Sequence, residues 1–161
     1  GYTMKSIRTY VSIILSIFIM IIIFKFSNQQ GDISYGISYK VTNLLESLKI
    51  SEHIPLINNS LSYTVRKIAH ITLYFILGIL ISSSTIFIMK LKKTQIKGYT
   101  IFLISSTICF VYACLDEFHQ TFIDGRTGKF SDVGVDAIGF ITSILIVISI
   151  NKIVTILNKK R

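Results

Sequence analysis

Acidic residues are few in this chain, and whole regions have none. The two ends and the middle link carry Lys5, Arg8, Lys90, Lys92, Lys93, Lys97, Lys152, Lys159, Lys160 and Arg161 without one acid among them. All eight acids fall within 32–52 or 116–136. Such an imbalance marks the cytoplasmic side of a membrane protein, where lysine and arginine accumulate. It predicts both termini inside and both acid-bearing segments outside. The net charge of +9 then reflects topology beside an anionic leaflet, and no nucleic-acid partner is expected.

Other absences narrow the chemistry. There are two cysteines, and Cys109 and Cys114 lie five apart on one predicted helix, too far apart to bridge. No HExxH spacing, GxSxG elbow or Cys/His dyad is present. No nucleophile is therefore identifiable, and neither a metal nor a cofactor is expected. The single proline, Pro55, stops any helix much beyond Ile54. No small-x-small cleavage site follows the first apolar run, which reads as a retained span. There is no internal repeat or low-complexity linker.

What is abundant is apolarity: 51% hydrophobic residues and a mean hydropathy of +0.63. Four runs, 7–26, 68–89, 99–115 and 133–150, are long enough to cross a bilayer, for which about 20 residues suffice. The expected fold is all-α, a single domain over 1–161 built as a four-helix transmembrane bundle. Between the first two runs, Ile33, Ile37, Val41, Leu44, Leu45 and Leu48 recur at three- and four-residue spacing. They predict an amphipathic interfacial helix over about 32–50 on the extracytoplasmic side.

Two polar clusters interrupt this pattern. Arg66, His70 and Tyr74 are spaced by four and share a face. Asp132 and Asp136 do likewise, and Asp116 shares a face with His119 or Gln120. Glu117 and Arg126 complete the set. Ionisable groups at this depth are costly unless paired or functional. A structural reading pairs Asp136 with His70 or Arg126, anchors Lys67 at the headgroups and leaves Asp132 at a helix start. The functional reading gathers the residues in one outward-open pocket. There His70, Asp116, Glu117 and Asp136 supply acid–base groups, and Arg66, Tyr74, His119, Gln120, Arg126 and Asp132 bind substrate. Arg66 and Arg126 suit an anionic group.

The same residues resemble the VanZ-like membrane family. The likeness runs through Phe26-Ser27-Asn28-Gln29-Gln30, with Ser34 and Ser38 beyond. It continues in Arg66-x-x-Ala69-His70-x-x-x-Tyr74-x-x-Leu77-Gly78 and Asp116-Glu117-x-His119-Gln120. Gly125-Arg126-x-Gly128, Asp132, Asp136 and Gly139 complete it. Asp124 stands where the family often has proline, which implies a looser turn. The resemblance implies a multi-pass protein of a bacterial-type cytoplasmic membrane and a link to glycopeptide (teicoplanin) resistance. Two functions follow. One is a membrane-embedded hydrolase or transferase acting on a lipid-linked or cell-envelope anionic substrate. The other is a non-catalytic module that binds membrane lipids or an envelope precursor, or stabilises a partner.

Overall fold

The computed structural model describes residues 2–28, 59–124 and 128–159. It contains four helices, α1 (Tyr2–Ser27), α2 (Asn59–Leu91), α3 (Gly98–Gln120) and α4 (Phe130–Lys159), and no strand among the described residues. All four are long and apolar enough to cross a membrane. The predicted interfacial helix over 32–50 lies outside the described residues.

The helices outrun the apolar runs. α2 starts at Asn59 rather than near Ile68, and α3 continues through Asp116 to Gln120. Apolarity measures what hydrocarbon tolerates, whereas a helix persists as long as its backbone bonds do. Asp116-Glu117-x-His119-Gln120 is thus the last turn of α3 and not a link. At the other end of the bundle, α2 closes on Lys93, whose φ of 52° is left-handed. Thr94 N–H donates to Met89 O at 3.0 Å and Lys93 N–H to Lys90 O at 3.4 Å. This is the two-bond helix stop that usually carries glycine.

Packing brings α2 against α4 most extensively, with α1 on α2 and α3 on α4. The core holds Ile23, Tyr74, Leu77, Cys109, Ala113, Phe140 and Ile144. Two glycines let α2 and α4 touch. A Cβ on Gly139 would lie 2.4 Å from Ile71 O and 3.1 Å from Phe75 N. One on Gly78 would meet Ser143 Oγ at 2.1 Å and the Phe140 backbone at 2.9 Å. Small residues at helix crossings serve this purpose where apolar lipid gives helices no hydrophobic reason to associate. Cys109 and Cys114 are both free thiols.

Around this core the surface is apolar: Ile14, Phe18, Leu103, Phe110, Ile138 and Leu145 are among many exposed large side chains. That is the surface of a multi-pass membrane protein. One end of the bundle collects the acids described below, the other the lysines of the α2–α3 link and of α4's last turns.

Candidate functional site

At the acid-bearing end, two seams between helices hold most of the residues singled out by spacing. The first joins α1 to α3. Ser27 is fully buried, and its hydroxyl donates to Asp116 Oδ2 at 2.7 Å. Gln120, one turn beyond Asp116, donates its amide to Asp116 Oδ2 at 3.2 Å and to Glu117 Oε1 at 3.1 Å. The other Glu117 oxygen, Oε2, accepts the Lys129 backbone N–H at 3.0 Å. The chain entering α4 is therefore tied to the end of α3. Gly128 makes that approach possible, because a Cβ there would stand 2.1 Å from Glu117 O. Its role is close contact; its φ is not left-handed. His119 faces elsewhere, stacked on Phe24 at 4.6 Å with Nε2 3.2 Å from Asn28 Oδ1.

The second seam joins α2 to α4. Lys67 Nζ reaches Asp132 Oδ1 at 2.6 Å, with both side chains about one-quarter exposed. One turn deeper, His70 Nδ1 faces Asp136 Oδ1 at 3.8 Å. That is beyond hydrogen-bond distance. Asp136 is buried, and its Oδ2 has no hydrogen-bond partner among the described residues. A further turn down, the fully buried Tyr74 also has its hydroxyl without a hydrogen bond among the described residues. Its ring packs between Tyr112 at 6.3 Å and Phe140 at 6.5 Å.

The two seams meet at the Tyr74 ring, which touches α3 on one side and α4 on the other. Tyr74, Asp136, Asp116 and Glu117 are only 0–7% exposed. Carboxylates and a phenol at this depth are shielded by the packing that brings them together.

A comparison with protein families bears on the same residues. The family model described as VanZ/LLP1 matches residues 12–153. The chain belongs to the VanZ/LLP1 family. Comparison with curated proteins and with solved structures gives no match. The match runs from the middle of α1 almost to the end of α4, so both seams of this VanZ/LLP1 chain lie inside it.

Of the residues expected at the site, Arg66 is half-buried on α2, above His70 on the same helix face. Arg126 lies outside the described residues. Ser27, Asn28, Lys67 and Lys129 hold site groups in place, although the functional reading gave them no part. Lys67, expected at the headgroups, pairs with Asp132. Among the described residues, no three His, Cys, Asp or Glu side chains group as metal ligands.

Chemically, each seam retains one buried carboxylate oxygen that accepts no hydrogen bond among the described residues, Asp116 Oδ1 in the first and Asp136 Oδ2 in the second. An Nδ1–H directed at Asp136 would leave Nε2 as the basic nitrogen of His70. The carboxylate would then orient the ring and stabilise its protonated form. Such contacts are often long without substrate and tighten in the reacting complex. A buried carboxylate oxygen and a buried phenol without hydrogen bonds are each expensive. Expensive groups retained together mark functional sites more often than packing faults.

Proposed function

We propose that this VanZ/LLP1 protein acts on an anionic, lipid-linked or cell-envelope substrate at the extracytoplasmic surface, by acid–base chemistry centred on His70. In this reading Asp136 orients His70, and Glu117 or Asp116 is the second proton-transfer group. Arg66 and Arg126 hold the anionic group, with Tyr74, His119, Gln120 and Asp132 shaping the binding site. One observation carries the reading: His70 stands 3.8 Å from a buried carboxylate whose other oxygen lacks a hydrogen bond among the described residues. A purely structural pair would close that gap. The teicoplanin link of the family name makes envelope sensitivity to glycopeptides the phenotype to follow.

The alternative is a non-catalytic lipid- or precursor-binding module. The Ser27–Asp116–Gln120–Glu117 cluster favours it, because those hydrogen bonds join helices as internal glue would. His70→Ala and Glu117→Gln separate the two. If the site is catalytic, both variants lose the envelope phenotype while abundance and melting temperature stay close to those of the unaltered protein. If the groups are glue, abundance and melting temperature fall instead. Stable proteins with full phenotype would remove the catalytic assignment.

The orientation belongs to the same proposal. Its motive is the ten-to-none basic bias of the opposite end. In a background without Cys109 and Cys114, Lys93→Cys should react with an impermeant thiol reagent only from inside, and Gly128→Cys only from outside. The reverse pattern would overturn it.

A further inference from the structure

The bundle has a second recess, remote from the polar end. Between α1, α2 and α3 lies a cavity of about 290 Å³, with Ile17, Ile81, Ile88 and Ile104 among its walls. Three hydroxyls also face it, from Ser16, Ser84 and Thr85. Each already donates within its own helix, to Ser12 O, Leu80 O and Ile81 O respectively, at 2.8–2.9 Å. The recess therefore makes no unmet polar demand, and an apolar occupant suits it. Ile17, Ile88 and Ile104 are 36–53% exposed, so the recess opens sideways between helices that can span a membrane. The medium at its mouth is hydrocarbon. An aliphatic cavity of about 150 Å³ stays dry and takes up benzene in another protein; this one is nearly twice as large.

Charge at one end of the recess selects the kind of lipid. On α2 the facing positions Ile81, Thr85 and Ile88 are followed at the same four- and three-residue spacing by Lys92. The Lys92 amide still donates to Ile88 O at 2.9 Å, which carries the helical turn through it. On α3, Ile108 and Ile104 lead back through Ile101 to Lys97 by the same spacing. Both lysines are exposed. Lys97 Nζ stands over the Tyr99 ring, 5.8 Å from its centroid, and Tyr99 is itself exposed. Tyrosine beside lysine at the end of a span is the side-chain pairing of the headgroup level. Lys92 lies about 4.5 Å along the helix from Met89, the last α2 residue of the wall.

We propose that this recess holds one acyl chain of an anionic phospholipid, with its phosphate headgroup drawn to Lys92 and Lys97. The site is independent of the acid–base reading of the polar end. Its test is native mass spectrometry of the full chain, released from nanodiscs of equal phosphatidylglycerol and phosphatidylcholine. The unaltered protein should retain one phosphatidylglycerol in preference to phosphatidylcholine, by about fivefold for each lysine near the headgroup. Lys92→Gln with Lys97→Gln should abolish the preference and still retain a lipid. Ile88→Phe and Ile104→Phe, at partly exposed positions that tolerate a larger side chain, should each reduce retention of both lipids. Equal retention of the two lipids by the unaltered protein would overturn the proposal. So would retention indifferent to both phenylalanine variants, or a second copy of the chain occupying the face in place of lipid.

Discussion

The α1–α3 and α2–α4 seams bury similar acids at the same end of the bundle and handle them differently. Across α1–α3, Asp116 Oδ2 and both Glu117 oxygens accept hydrogen bonds of 2.7–3.2 Å from Ser27, Gln120 and the Lys129 amide. Across α2–α4, the backbones touch at Gly78 and Gly139, yet the His70–Asp136 contact stops at 3.8 Å. The looseness is confined to that pair, because at the rim of the same seam Lys67 closes on Asp132 at 2.6 Å. Satisfied buried hydrogen bonds rigidify a fold, and Asp116 accepts them on Oδ2, although its Oδ1, like Asp136 Oδ2, accepts none among the described residues. The α1–α3 cluster is a clamp, and the His70–Asp136 contact stays open at 3.8 Å.

The strongest attempt to break this contrast is Gly139→Ala. It forces a methyl group into the α2 backbone, where neither Ile71 O nor Phe75 N can move aside alone. A loss of about 3 kcal/mol is expected, at the upper end for overpacking. Gly134→Ala is the control, since a Cβ there meets nothing within 4 Å. It should be neutral or gain up to about 1 kcal/mol from helix propensity. Thermal unfolding in detergent reads both, and equal effects would refute the close-contact account.

Next in size is the carboxylate comparison. Asp116→Ala leaves the Ser27 hydroxyl and the Gln120 amide short of an acceptor, and should cost about 2 kcal/mol. Asp136→Asn should change unfolding by less than about 0.5 kcal/mol, because its 3.8 Å contact with His70 is longer than a hydrogen bond and membrane polar contacts average near that size. The envelope phenotype should respond in the opposite order. If both variants destabilise equally, the distinction between clamp and open pair is lost.

The smallest effect concerns Lys67 and Asp132. Their contact is short but about one-quarter exposed, so a double-mutant cycle of Lys67→Ala and Asp132→Ala should give a coupling of about 0.5 kcal/mol that falls as salt is added. A coupling above about 2 kcal/mol, indifferent to salt, would mean the pair is shielded like the α1–α3 cluster.

These contrasts were only partly legible beforehand. Four spans follow from apolar run length, and the shared faces of His70 with Tyr74 and of Asp132 with Asp136 follow from four-residue spacing. Where α2 and α3 end did not follow, because hydropathy registers the bilayer and not the backbone bond. Nor did the partners of the acids. Spacing on one helix says which way Asp116 points, but Ser27, its donor, lies 89 residues away. His119 and Gln120 were equal candidates to share the Asp116 face. Gln120 does so, at four residues, while His119 stacks on Phe24. Gly128 lets the chain entering α4 pass close to Glu117 O, an approach that spacing along one helix does not show.

Gly139 sits three residues beyond Asp136, and the carbonyl it meets belongs to Ile71, the neighbour of His70. The separation of imidazole from carboxylate is thereby set by backbone against backbone, as a gauge block sets the jaws of a caliper. Side chains facing lipid can drift, and the bilayer can thicken or thin, without resetting that gauge. The dimension on which proton transfer would depend is held by the absence of one methyl group.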